Sequence, residues 1–153
     1  MRRSLTVLAI CQALCIAIAA PALAAETGAG RKYLEQAARS KGAVKSPTGV
    51  VVIMLKNGTG ARPTRASTVK VHYTGKLIDG TVFDSSVERG APATFPLGRV
   101  IPCWTEGVQK MKVGGKARLV CPPETAYGAE GAPPAVPPNA VLDFEIELLS
   151  IAK

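Results

Sequence analysis

A chain of 153 residues suffices for one domain and is short for two. Its formal net charge of +8 could signal a nucleic-acid partner, but beyond Arg31-Lys32 the basic residues are scattered singly to Lys153, without a stripe or interleaved aromatics. That spacing fits a solvated basic surface better than a nucleic-acid interface, so no nucleic-acid partner is expected, and a single histidine excludes a His-based metal cluster.

The chain starts Met1-Arg2-Arg3, continues with an apolar run from Leu5 to Ala20, and breaks it at Pro21 before Ala22-Leu23-Ala24. Basic, then apolar, then small-x-small is the order of a secretory signal peptide, expected over residues 1–24 with cleavage near Ala24. This run of 16 residues falls short of the roughly 20 a spanning helix needs, so no stable membrane insertion is expected. Cleavage would leave about 129 residues carrying about +6, in the periplasm, and would discard Cys11 and Cys15, neither of which follows a lipoprotein pattern. Cys103 and Cys121 remain. In an oxidising compartment an isolated pair points to a disulfide, with two buried free thiols as the alternative.

Residues 25–49 read as a short N-terminal helix and linker. The helix is expected over Arg31 to Lys41, with Tyr33, Leu34, Ala37 and Ala38 on one side and Gly42 as its stop. Ser46-Pro47-Thr48-Gly49 is a turn. The main domain follows, over 50–153. Val50 to Leu55 is a continuous apolar strand. Val69, Val71 and Tyr73 alternate with Lys70, His72 and Thr74, the period of a half-buried strand. Ala117, Leu119 and Cys121 alternate with Arg118 and Val120 less cleanly. Leu142, Phe144, Ile146 and Leu148 alternate cleanly with Asp143, Glu145 and Glu147, and those acids would suit Lys70 and Arg118 across an antiparallel sheet. One internal helix is expected, with Trp104, Val108 and Met111 on one face and Gly114-Gly115 at its end. The class is α+β. Two long stretches, Asp84 to Phe95 and Pro122 to Ala140, read as loops of the length that usually carries function.

Familiar catalytic parts are missing. Gly58-Thr59-Gly60 leads into Pro63 and lacks the helix a phosphate loop requires. His72 lies on the polar face of its strand, and there is no Gly-x-Ser-x-Gly elbow for a triad to use. The cysteines are not in a Cys-x-x-Cys arrangement. What remains is a set of aromatics near loops: Tyr73, Phe83, Phe95, Trp104, Tyr127 and Phe144. Periodicity alone lets them be a core or a pocket.

From about Val69 to Ile151 the sequence resembles the FKBP family of peptidyl-prolyl cis/trans isomerases. The resemblance is carried in order by Val71-His72-Tyr73-Thr74-Gly75, Asp79-Gly80, Phe83-Asp84-Ser85-Ser86 and Arg89. It continues with Phe95, Leu97-Gly98, Val100-Ile101-Pro102, Trp104, Glu106-Gly107, Met111 and Gly114. Pro122, Ala126-Tyr127-Gly128, Val136-Pro137-Pro138-Asn139-Ala140 and Phe144-Glu145-Ile146-Glu147-Leu148-Leu149 complete it. The connection at 31–49 resembles the segment upstream of the isomerase domain in Mip-like and FkpA-like periplasmic proteins. Those carry a longer helical dimerisation segment, so a monomer is expected here.

The resemblance implies an antiparallel β-sheet wrapped around one short α-helix. It also implies isomerisation of X–Pro bonds without a covalent intermediate or a cofactor, with unfolded or partly folded proteins as partners. Trp104 would be the pocket floor, Tyr73, Phe83, Phe95 and Phe144 its walls, and Val100 and Val136 its rim. The Ile101 N–H and Tyr127 hydroxyl would bind substrate carbonyls, and Asp84 would face the twisted carbonyl with Arg89 beside it. Tyr73, Asp84, Tyr127 and Phe144 are the expected catalytic set. A holdase chaperone or proline-binding module with incidental isomerase activity is the competing reading. Macrolide inhibitors are further candidate ligands, although Ala93 and the small residues of Gly131–Val136 make a shallower rim than some members have. Cys103 also departs from the family, standing where a glycine is usual. Cys121 shares the inward face of its strand with Ala117 and Leu119, against which the helix opened by Cys103 should pack.

Overall fold

The computed structural model describes residues 21–152. Of the expected signal peptide over residues 1–24, the part through Ala20, with Cys11 and Cys15, lies outside that range. Helix α1 spans Pro21–Ala38 and ends three residues before the expected Lys41. The Ala43 N–H donates to the Ser40 carbonyl at 3.0 Å, and Gly42 takes a φ of +77°, so the chain turns straight into a strand. Glycine is the residue that adopts this left-handed backbone without a Cβ clash. At the other side of the helix, a Cβ on Gly30 would lie 2.8 Å from Val141 Cγ2, so the missing side chain lets α1 seat closely on the domain.

Seven strands follow: β1 (Ala43–Lys45), β2 (Val51–Lys56), β3 (Thr68–Leu77), β4 (Val82–Ser85), β5 (Ala93–Pro96), β6 (Lys116–Cys121) and β7 (Leu142–Ala152). They form one antiparallel sheet in the order β1-β2-β6-β7-β3-β4, with β5 also pairing β3. The short helix α2 (Pro102–Val108) lies against the inner face. Pro102 suits its first turn, where a missing N–H costs nothing.

The expected alternation holds on the central strands. Val69, Val71 and Tyr73 of β3, Ala117 and Leu119 of β6, and Leu142, Phe144, Ile146 and Leu148 of β7 are buried together with Val108 of α2. The imperfect alternation of β6 has a physical cause. Val120 is fully buried on the opposite face, where it joins Val51, Ile53, Val141 and Ala37 in a second core beneath α1. That strand is therefore covered on both sides. The acids of β7 meet the basic residues of β6: Arg118 pairs with Asp143, and Lys116 with Glu145.

Two expected boundaries change. Met111 lies beyond α2, which ends at Val108, yet it remains fully buried because the following turn folds back onto the core. The stretch Asp84–Phe95 is not all loop: it holds the end of β4 and most of β5, whose four residues pair from Val71↔Ala93 to Thr68↔Pro96. No helix among the described residues is long and apolar enough to cross a membrane.

Candidate active site

Trp104 occupies the first turn of α2 and is 4% exposed. Three rings meet it edge-on, with centroids at 5.0 Å (Tyr73), 5.4 Å (Phe144) and 5.5 Å (Phe95) and interplanar angles between 82° and 89°. Phe83 leans on Phe144 in the same manner at 5.5 Å. Such contacts set the positive edge of one ring against the negative face of another, so they fix orientation as well as bury area. The Trp104 Nε1–H is buried without a hydrogen-bond partner among the described residues. Leaving such a donor unmet costs about 1–3 kcal/mol, and it follows from setting an indole among rings instead of polar groups.

Above this floor is a cavity of about 320 Å³, walled by Tyr73, Phe83, Phe95 and Phe144 and bordered by Asp84, Arg99, Val100, Ile101 and Tyr127. Each wall comes from a different strand: β3, β4, β5 and β7. The register places Phe144 opposite Gly75. A Cβ at Gly75 would come within 2.6 Å of Phe83 Cζ and 2.8 Å of Phe144 Cε1. The glycine is therefore a requirement of close approach, since two rings occupy the space its side chain would take.

The polar side of the cavity is a small network. Asp84 on β4 accepts a hydrogen bond from the Tyr73 hydroxyl on one carboxylate oxygen and one from Arg89 on the other. Arg89 also donates to the Tyr73 hydroxyl at 3.1 Å. Burial pushes the Asp84 carboxyl up, but the bonds from Tyr73 and Arg89 and the guanidinium charge outweigh it and hold the group below the ordinary aspartate value. Burial, reinforced by the bond to Asp84, raises the Tyr73 hydroxyl, so it stays a donor at neutral pH. Ser86 completes the support: its hydroxyl accepts from the Tyr73 N–H at 2.8 Å and lies 3.1 Å from His72 Nδ1. His72 is thus bonded from the polar face of β3.

The structure brings together every expected cavity residue but two. Arg89 lies outside the lining but bonds both Asp84 and the Tyr73 hydroxyl. Val136 is also outside the lining: it is 3% exposed and packs in the core cluster that includes Trp104 and Phe144, and its N–H and carbonyl both pair with Ala132. The Ile101 N–H makes no hydrogen bond among the described residues and lies on the cavity border, free to receive a carbonyl. Tyr127 is 41% exposed at the mouth. Arg99 and the Tyr73 hydroxyl were not expected in these roles. Arg99 stands in a short turn with no periodicity, and Tyr73 was read from its ring alone.

Cys103 and Cys121 are joined by a disulfide with a Cα–Cα distance of 5.7 Å, and both are fully buried. It ties the first turn of α2, and so the floor, to β6. A second hollow of about 350 Å³ lies between α1 and the segment Pro137–Val141. Its lining is mainly apolar, including Leu77, Ile78, Pro137, Pro138 and Val141, with Asp79 and Asn139 as its polar side chains and no aromatic ring.

Residues 60–149 match the family model described as FKBP-type peptidyl-prolyl cis-trans isomerase. The chain belongs to the FKBP-type family. It is 53% identical over 124 residues to the FKBP-type isomerase FkpA of Aeromonas hydrophila, covering 81% of this chain and 46% of that one. It is 52% identical over 130 residues to the FKBP-type 22 kDa isomerase of Escherichia coli K12, covering 85% and 62%. The chain thus spans about half the length of the curated relatives it matches. Among solved structures, FkpA from Escherichia coli superposes with a TM-score of 0.81 at 47% identity, over 84% of this chain and 60% of that one. An isomerase from Pseudomonas syringae gives 0.79 at 39% identity, over 88% and 98%. The FKBP-type match begins at residue 60, so β1 and β2 lie before it while forming the edge of the same sheet.

Proposed function

We propose that this chain is a peptidyl-prolyl cis/trans isomerase of exported proteins, with a leader over 1–24, a helix and linker over 25–49 and the isomerase domain over 50–153. The observation that carries this reading is the cavity: four aromatic walls over an indole floor, with one carboxylate held in place at its edge.

An X–Pro bond resists rotation because of its C–N double-bond character, with a barrier of roughly 18–20 kcal/mol. At the transition state the amide is twisted, conjugation is lost and the carbonyl is less dipolar. An enzyme therefore needs no nucleophile; it needs to bind the twisted form better than either planar one. A water-poor aromatic hollow favours the less polar twisted amide, and the proline ring would sit on Trp104. The free Ile101 N–H and the Tyr127 hydroxyl would hold the flanking carbonyls, fixing one side of the bond while the other rotates. Asp84, ionised and oriented by Tyr73 and Arg89, would face the twisted carbonyl as its charge distribution changes.

The test is a protease-coupled or refolding-limited assay on an X–Pro substrate. Phe144→Ala and Asp84→Leu should each lower kcat/KM about tenfold, equivalent to about 1.4 kcal/mol. Wild-type rates equal to background, with the protein folded, eliminate the enzyme reading and leave the proline-binding module. Export is checked by the mass of the protein recovered from the periplasm. That mass should be short by residues 1–24, and short by two further hydrogens for the Cys103–Cys121 bond.

A further inference from the structure

One charge on the cavity border has no part in the activity proposed above. Arg99 closes the 3-10 turn Leu97–Arg99, is exposed beside Val100 and Ile101, and forms no ion pair among the described residues. The other charged side chain on the border, Asp84, is already matched by Arg89. The border therefore presents one uncompensated positive charge.

That charge is held on a rigid base. Leu97 is fully buried, its N–H donates to the Ser67 carbonyl at 2.9 Å, and its own carbonyl accepts from the Thr105 hydroxyl at 2.7 Å. A fixed backbone limits the region the guanidinium can sweep, so less entropy is lost when it meets a partner. Beyond Val100 a neighbouring hollow of about 350 Å³ continues the surface, bordered by Arg65 and by Glu106, whose carboxylate accepts from the Thr48 hydroxyl at 2.5 Å. The two hollows share Val100, so a peptide longer than the prolyl unit that runs over Val100 from one to the other passes beside Arg99.

We propose that Arg99 is a specificity-determining residue, and that the site favours peptides in which an acidic side chain flanks the isomerised proline, its carboxylate meeting the Arg99 guanidinium while the ring lies on Trp104. The inference rests on the isomerase reading and names the X–Pro segments the site prefers. A border cation acts on encounter and ground-state binding more than on the twisted bond, so its effect belongs to KM and kcat/KM and fades with salt.

The test uses five peptides of one length: an Ala–Pro reference, and Glu or Lys placed immediately before or after the proline. At low ionic strength the wild type should turn over the Glu peptide of one flank about three- to fivefold better than its Lys counterpart, as expected for one exposed pair. Arg99→Gln should flatten that ratio and Arg99→Glu should invert it. Lys45→Gln, which removes the same charge from exposed β1, should preserve it. Glu-to-Lys ratios equal in the wild type and Arg99→Gln, with the Ala–Pro reference turned over, overturn this inference and leave the isomerase reading standing. Background rates on all five peptides overturn both.

Discussion

Tyr73 does two things at once. Its ring stands edge-on to Trp104 as part of the wall, and its hydroxyl donates to Asp84, so one side chain couples the apolar and polar halves of the cavity. The coupling has a pH signature. Because the folded carboxyl of Asp84 lies below its ordinary value, the stability it contributes is fully present above the ordinary aspartate pKa of about 3.9 and is lost as pH falls through the lower folded value. We expect kcat/KM to stay level from neutral pH to about 4.5, and Tyr73→Phe to move the acid inflection upward; an inflection near pH 6 in the wild type would contradict the arrangement. Gly75 is the other decisive residue. Gly75→Ala should cost about 1–3 kcal/mol by overpacking and should lower kcat/KM as Phe83 is displaced. Denaturation midpoints and turnover measured together check this, and full activity with native stability would show that the rings yield freely.

At the scale of elements, α1 is attached by a mixed contact. Tyr33 donates to Asp143 on β7 at 2.6 Å and accepts from Arg118 on β6 at 3.0 Å, while Ala37 packs on Val51 and Val120. The bonds to Asp143, and then its charge, raise the Arg118 guanidinium against the effect of burial, so this cation stays charged throughout. Tyr33→Phe should cost about 1 kcal/mol in denaturant unfolding and speed amide exchange in α1, leaving isomerase activity unchanged. Loss of activity would mean that the helix supports the cavity across the sheet. The elements were unevenly legible. β3 and β7 were readable because one face is buried and the other wet, which imposes a period of two. β6 blurred because Val120 is buried beneath α1. β5 was hidden because four residues pinned by pairing to β3 leave too short a pattern.

For the whole molecule, the site exists only where β3, β4, β5, β7 and α2 converge, and no two of its walls share a strand. Charge is sorted by the same architecture. Asp143 and Glu145 are paired on the outer face with Arg118 and Lys116, while Arg99, beside the cavity, has no ion-pair partner among the described residues. The disulfide crosses between helix and sheet beneath the floor, where Cys121 shares an inward face with Leu119 and α2 approaches closely. A Cβ on Gly107 would lie 2.6 Å from Leu119 Cδ1.

Residue types and their periods were enough to set the α+β class, the inward faces of the central strands, the apolar face of α1 and the set of candidate rings. Those properties are local: strand alternation and helix spacing fix which way a side chain points relative to its own backbone. Which rings touch, that the Tyr73 hydroxyl reaches Asp84, that Val136 turns into the core and that Arg99 borders the hollow were decided only by tertiary structure. Loops have no internal period to aim a side chain. Their direction comes from contacts such as Ala132 with Val136, or Leu97 with Ser67 and Thr105, made by residues the chain brings together only once the sheet has closed around α2.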